Sequence, residues 1–226
     1  MSNYLKILTF FGAAWLSLTS GARAELDPEL ATASTAAAND SGLVAGGFLS
    51  MGSGLSAGNT RPGPIVLGGG EIGYSMARDS WNRFVASFAL SGGSLSFKRG
   101  YGDGYEDRQL NISLMPMIRG GFGKSISHRS FWVWRVGMGA FLGNTSGDFE
   151  EQSFKSSGVF GLAGQLGADV IFSVNDWIDV QVGYQLNHLS FEIEEAKNKS
   201  GDAIDGLSES YNVNAHMLSI GAGLHL

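Results

Sequence analysis

The chain of 226 residues contains no cysteine, so disulfides cannot stabilise it, and its stability must come from backbone pairing and burial. It also lacks any run of about 18 apolar residues, which is the length that a transmembrane helix needs. Basic residues are few, with 15 Lys and Arg against 21 Asp and Glu. This acidic balance argues against nucleic acid as a partner.

Metal-binding patterns are absent as well. The acidic stretch 192–211 does not have the spacing of a calcium loop. The histidines show no metal-ligand spacing and have no cysteine to complete a set: His128, His188, His216 and His225. The sequence therefore predicts no metal site and no cofactor.

The first 24 residues have the form of a secretory signal peptide. Lys6 gives a basic start, residues 7–19 form a short apolar run, and Ala22 to Ala24 has the small-x-small form of a signal-peptidase site. We expect cleavage after Ala24 and export of the remainder. Residues 25–41 are small and polar without an apolar period, which predicts a periplasmic N-terminal tail ahead of one domain at 42–226.

The stretch 177–189, WIDVQVGYQLNHL, alternates between apolar and polar residues. Its apolar phase comprises Ile178, Val180, Val182, Tyr184 and Leu186. A period of two places successive side chains on opposite faces of a strand. About ten residues is also the length with which a tilted strand crosses the hydrocarbon core of a bilayer. This stretch therefore predicts a membrane-spanning strand.

Eight such segments, separated by turn residues, follow one another along the chain. They are 42–52, 64–76, 82–97, 107–122, 130–145, 157–172, 177–190 and 212–226. The connections after the odd segments are long and rich in Gly, Asn, Asp and Ser, whereas those after the even segments are short. An up-and-down barrel with loops at one rim and tight turns at the other has this alternation. The predicted fold is all-β, an eight-stranded antiparallel up-and-down transmembrane β-barrel.

The placement of charge indicates which face looks outward. All lysines after the signal peptide fall in the predicted loops and turns, whereas a water-facing exterior would carry roughly 25–35% charged residues. The apolar phase is therefore predicted to face lipid and the polar phase the lumen. In segments four to eight the lipid-facing residues are the even-numbered ones, which include Leu110 and Ile112 of segment four. Segment one is too rich in glycine to assign.

The tryptophans of the exported chain provide an independent indication. Each follows a short connection and begins segment three, five or seven: Trp81, Trp132, Trp134 and Trp177. Trp concentrates at membrane interfaces because it combines an apolar body with a polar N–H. These four residues are therefore predicted to mark one membrane interface, on the periplasmic side if the short turns lie there.

In this architecture the chain resembles the small eight-stranded outer-membrane barrels of the OmpA/OmpX type, over about 42–226. The resemblance rests on the strand pattern and not on a sharp motif. Members commonly end in an aromatic residue, whereas this last strand alternates and ends in Leu226. The resemblance implies the outer membrane of a Gram-negative bacterium. It also implies two partners, the barrel-assembly machinery and outer-membrane lipid or lipopolysaccharide.

Six charged residues fall in the polar phase of the strands near the short turns: Glu71, Arg83, Arg119, Arg135, Asp169 and Asp179. Buried charges persist when they are paired and hydrogen-bonded, and three acids can balance three arginines. We expect a network of ion pairs that plugs a narrow lumen. The alternative is a gate in a narrow channel for small solutes.

His188 and Ser190 continue the apolar phase of segment seven to the outer end of that strand. A His-x-Ser sequence in this position resembles the motif of the PagL-type lipid A deacylases, which implies a membrane-facing Ser nucleophile with a His base. Here Phe191 follows Ser190 where that family usually has Asn, and no acid is clearly placed to orient the histidine. A strand that merely turns polar above the hydrocarbon core explains the pair better than an enzyme site does.

Together these patterns favour a small outer-membrane barrel with a structural or surface-binding role and no enzymatic activity. The alternatives are a membrane-embedded lipid hydrolase using His188 and Ser190, or the narrow channel described above. The sequence does not indicate a ligand for the long connections.

Overall fold

A computed structural model describes residues 41–55, 60–77, 82–101, 104–127, 129–149, 152–193, 197–198, 200–204 and 209–226. The predicted signal peptide, the predicted tail before Ser41, and Trp81 lie outside these ranges. The described residues form nine strands: β1 (Gly42–Leu55), β2 (Thr60–Ala77), β3 (Asn82–Tyr101), β4 (Gly104–Ser127), β5 (Ser130–Phe149), β6 (Gln152–Ser173), β7 (Ile178–Ile193), β8 (Lys197–Asn198) and β9 (Glu209–His225). Among them no helix is long and apolar enough to cross a membrane.

The eight long strands close into a ring. Every pairing is antiparallel, each strand pairs with its neighbour in the chain from β1 to β7, and β9 joins β7 to β1. The two-residue β8 pairs with Phe154 and Lys155 of β6 and makes one isolated antiparallel bridge, from Lys197 to Ala203. A closed ring satisfies the backbone hydrogen-bonding groups of every strand without leaving an edge. The predicted eight-stranded antiparallel barrel is confirmed.

A belt of large apolar side chains covers the outward face of the ring. Met138 is 74% exposed and Ile118 is 69% exposed, which is far from the burial that such residues normally reach in water. Other members include Ile72, Phe88, Val136, Leu162, Val182, Leu218 and Ile220. On β5 the belt runs from residue 132 to 142, which matches the 9–11 residues that span a bilayer. The belt makes the ring a transmembrane barrel.

The strands continue well beyond this belt at the end that carries the β1–β2, β3–β4, β5–β6 and β7–β9 connections, called here the outer end. Strand β4 has 24 residues and β6 has 22, about twice the length that a bilayer requires. The prediction of long loops after segments one, three and five is wrong. Only four residues separate β1 from β2, and two separate β3 from β4, because the polar residues assigned to loops extend the strand ladders.

Polarity reverses along the barrel where the strands leave the belt. On β7 the exposed residues pass from Val182 and Tyr184 to His188 and Glu192. The buried residues of the same strand pass from Asp179, Gln185 and Asn187 to Leu189, Phe191 and Ile193. On β7 the membrane part is thus apolar outside and polar inside, whereas the outer part is polar outside and apolar inside, as in a water-soluble barrel.

Strand β4 makes this change through a β-bulge. Its pairing with β5 shifts by one residue between Ile112 and Leu114. Leu110 and Ile112 therefore lie inside the ring, 0% and 3% exposed, while Leu114 faces outward. The prediction that Leu110 and Ile112 face lipid is wrong, because the extra residue turns the strand by one position and reverses the faces beyond it.

Strand β6 has its bulge at the same level, on the other side of β5. The extra residue is Gly158, whose φ of 81° lies in the left-handed region that glycine adopts at little cost. The pairing shifts beside it, between Gly143 and Asn144 of β5. Phe154 is consequently buried and Phe160 exposed, although both have even numbers.

The glycine-rich β1, which the sequence left unassigned, also has a definite orientation. Leu49 and Met51 are exposed, whereas Phe48 and Ser50 are buried. Its glycines let neighbouring backbones approach closely. A Cβ on Gly52 would overlap the backbone of β9, so the strand carries glycine there because no side chain fits.

Candidate functional site in the barrel interior

Four of the six predicted lumen charges form a connected cluster, called here the charge layer. Arg135 Nη1 lies 3.1 Å from Glu71 Oε1, and Arg135 Nε lies 3.0 Å from Asp169 Oδ2. Arg119 Nη1 reaches Glu71 Oε2 at 3.3 Å. Arg119, Arg135 and Asp169 are buried. Glu71 thus accepts from two arginines on different strands, and Arg135 contacts two carboxylates.

The charge layer is hydrogen-bonded to its surroundings. Ser87 donates to Glu71 at 3.3 Å, and Arg135 Nη2 donates to Gln181 Oε1 at 3.2 Å. The Arg119 guanidinium also stacks on the Phe48 ring, with its Cζ 4.6 Å from the centroid. Buried charges in this arrangement are both paired and held in orientation.

The other two predicted charges lie nearer the end opposite the outer end, which carries the β2–β3, β4–β5 and β6–β7 turns and is called here the short-turn end. The Arg83 guanidinium lies over the Phe131 ring, 4.5 Å from its centroid. Asp179 Oδ2 lies 2.6 Å from Nε2 of His225. The pairing of His225 with Asp179 was not predicted from the sequence. The signal was available, because His225 shares the polar phase of the last strand with Ser219 and with two glycines.

A layer of amides lies between the charge layer and the outer end. Gln165 Nε2 donates to Gln185 Oε1 at 2.9 Å and to Asn187 Oδ1 at 3.1 Å. Gln185 in turn donates to Ser219 Oγ at 3.2 Å. These four side chains are buried, so their mutual hydrogen bonds replace the water that they would otherwise require.

Above the amides the interior is filled by apolar side chains from every long strand except β1. At its centre Phe97 lies 6.2 Å from Phe191 and 5.2 Å from Tyr211, and Phe141 lies 6.0 Å from Phe191. Strands β3 and β7 stand opposite one another in the ring, so the Phe97–Phe191 contact crosses its full width. This apolar layer was not predicted, since only polar or small residues were expected in the lumen.

Three of the four predicted interface tryptophans are described, and they lie at the short-turn end. Trp132 and Trp134 are half-buried on the outward face of β5, with ring centroids 5.9 Å apart in an edge-to-face arrangement. Trp177 lies in the β6–β7 turn and is 69% exposed. The position of Trp81 falls outside the described residues. The three described side chains occupy the edge of the belt, as interfacial aromatics do.

His188 and Ser190 both point outward from β7. His188 is exposed, and its Nδ1 lies 2.8 Å from Asn214 Oδ1 on β9. No hydrogen bond joins His188 to Ser190 in the described part of the chain. On β7 itself the outward residues are polar here, whereas the β6 residue paired with Ser190 is the exposed Leu162. In the described ranges no group of three or more His, Cys, Asp or Glu side chains could hold a metal ion either.

The closed antiparallel ring of eight strands and its outward apolar belt define a small eight-stranded β-barrel of the outer-membrane type. No family model matches the chain, and no curated protein matches it. Among solved structures it is similar to Neisserial surface protein A (17% identity, 81% of this chain and 97% of that one, TM-score 0.43). It is also similar to Ail, the attachment invasion locus protein of Yersinia pestis (14% identity, 82% of this chain and 99% of that one, TM-score 0.42). A third similar structure is that of the outer membrane protein OprG from Pseudomonas aeruginosa (16% identity, 82% of this chain and 95% of that one, TM-score 0.43). At these TM-scores the likenesses carry no conclusion, and the class rests on the strand geometry.

Proposed function

We propose that this protein is a non-conducting barrel of the outer membrane that serves a structural or surface-binding role, holding a rigid strand-built extension above the lipid. The observation that carries the proposal is the filled interior. The charge layer, the amide layer and the apolar layer follow one another along the same lumen, and the Phe97–Phe191 contact crosses it completely.

The extension has the surface of a binding platform. Its outward face above the belt is polar and carries charges of both signs, such as Lys98 paired with Asp107 at 3.1 Å. The strand ladders hold this surface in one shape, so a partner would meet a pre-formed face and not a flexible loop. Below it the belt would contact outer-membrane lipid or lipopolysaccharide, after insertion by the barrel-assembly machinery.

Planar-bilayer recording tests the absence of conduction. Purified protein should give no unitary current steps in molar KCl, while a general porin inserted under the same conditions gives large steps. Regular steps from the purified protein would support the narrow channel instead.

Surface display is tested by labelling single cysteines on intact cells with a polyethylene-glycol maleimide too large for porins. Lys155→Cys, on the outer part of β6, should react. Asp176→Cys, in the β6–β7 turn, should react only after the envelope is broken. Both positions are exposed on the protein, so each cysteine reacts only if the reagent can reach the side of the membrane on which it lies. The proposal places the outer end at the cell surface and the β6–β7 turn in the periplasm. Reaction of Asp176→Cys on intact cells would show the opposite orientation.

A further inference from the structure

A cavity of about 50 Å³ lies inside the ring at its short-turn end. All of its lining residues come from the parts of β1, β2, β3, β5, β6, β7 and β9 that lie nearest that end. Val44, Val85 and Phe131 line one part of the wall. The polar part is lined by Glu71, Ser75, Arg83, Arg135, Asp179 and His225.

Two buried polar atoms of this wall have no protein partner in the described part of the chain. They are Ser75 Oγ and Asp179 Oδ1, in residues that are 4% and 6% exposed. Buried polar atoms are nearly always hydrogen-bonded, to protein or to ordered water. These two atoms therefore point to a ligand inside the cavity.

The position of His225 determines how such a ligand could enter. His225 lines the cavity and also a separate depression of about 360 Å³ at the short-turn end, together with Asp176, Trp177 and Leu226. The imidazole is fixed by the 2.6 Å contact of its Nε2 with Asp179 Oδ2. In the other direction the lumen is blocked by the amide and apolar layers.

We propose that the cavity is a blind, hydrated vestibule that holds ordered water and opens only to the short-turn side, past His225. One buried water molecule needs a cavity volume of about 10–15 Å³, so a cavity of about 50 Å³ has room for roughly three to five water molecules. Three acids and three arginines balance in and beside the wall, which favours neutral water over an ion. The water hydrogen-bonds to Ser75 Oγ and to Asp179 Oδ1.

Cysteine accessibility tests the proposal, since the natural chain has no cysteine. Ser75→Cys in bilayer vesicles should react with a small methanethiosulfonate reagent, and adding His225→Ala should speed the reaction at least tenfold. Ser91→Cys is the matched control, because Ser91 is equally buried but bonds Met115 O in the apolar layer. It should stay unreactive with or without His225→Ala.

Equal reactivity of Ser75→Cys and Ser91→Cys, or no effect of His225→Ala, would overturn the vestibule. The fold of each variant is checked by its heat-dependent mobility on gels. The wild-type protein gives a second readout by solid-state NMR. Magnetisation transfer from water should reach the Ser75 and Asp179 β-protons and not those of Ser91, and its absence from all three would also refute the proposal.

Discussion

Arg135 on β5 donates through Nη1 to both carboxylate oxygens of Glu71 on β2, at 3.1 and 3.2 Å, although β3 and β4 separate the two strands in the ring. The contact therefore passes through the interior and ties two walls of the barrel together. Because Arg135 also contacts Asp169, it is the central cation of the charge layer.

Replacing Arg135 by Met should destabilise the barrel strongly. The change leaves Asp169 without its 3.0 Å contact and removes one of two arginines from Glu71, and breaking a buried pair in this way costs roughly 3–5 kcal/mol. Lys155→Met is the control, since loss of an exposed charge changes stability by about 0–1 kcal/mol. Urea unfolding in lipid vesicles measures both. Equal stabilities would show that the interior charges do not support the fold.

Breaking the charge layer should not open a pore. In Glu71→Gln the charge layer is weakened, but the aromatic contacts among Phe97, Phe141 and Phe191 still fill the lumen above it. Single-channel recording should therefore find this variant as silent as the wild type. Current steps that appear with Glu71→Gln alone would identify the charge layer as a gate and the apolar layer as permeable.

Gly183→Ala should destabilise the barrel, because a Cβ at this position would overlap the Asp169 carboxylate. Either Asp169 moves away from Arg135 or the backbones of β6 and β7 separate, and overpacking of this kind costs about 1–3 kcal/mol. Gly120→Ala is the matched control, since a Cβ there meets nothing within 4 Å. Urea unfolding should place the Gly120→Ala variant within about 0.5 kcal/mol of wild type. A Gly183→Ala variant as stable as that control would contradict the packing of Asp169 on Gly183.

Ser190→Ala should leave lipid A unchanged. His188 contacts Asn214 and not Ser190, so the serine has no base to activate it. Mass spectrometry of lipid A from cells expressing the wild type or the variant measures this. An acyl chain removed only by the wild type would establish the lipid hydrolase instead.

The fold could be predicted from the sequence because one face of each strand meets lipid. On β7 the even residues Val182 and Tyr184 alternate with Gln181 and Gly183, and no competing period occurs. The reversal beyond the belt was also visible there, since the apolar residues become the odd ones at Leu189, Phe191 and Ile193. This reversal was not predicted because segment seven was ended at residue 190, and the residues from Phe191 onward were assigned to a loop.

On β4 the same reversal could not be predicted. Leu110, Ile112 and Leu114 keep one apolar phase, so nothing in the pattern reveals that the bulge turns the first two inward. The bulge lies in the pairing with β3 and β5, which is a property of the ring and not of one strand. The contact between Arg135 and Glu71 is likewise set by the register of several strands, although their shared phase placed both residues inside.

The reversal of polarity along the barrel is tested most directly by nitroxide labels at Val182, Tyr184, His188 and Glu192 of β7 in lipid bilayers. Collision rates with oxygen, which concentrates in lipid, and with a water-soluble nickel complex are compared at each site. Labels at 182 and 184 should meet oxygen and exclude nickel, and labels at 188 and 192 should do the opposite. Nickel contact at 182, or four sites that all report lipid, would contradict a barrel that leaves the membrane between Tyr184 and His188.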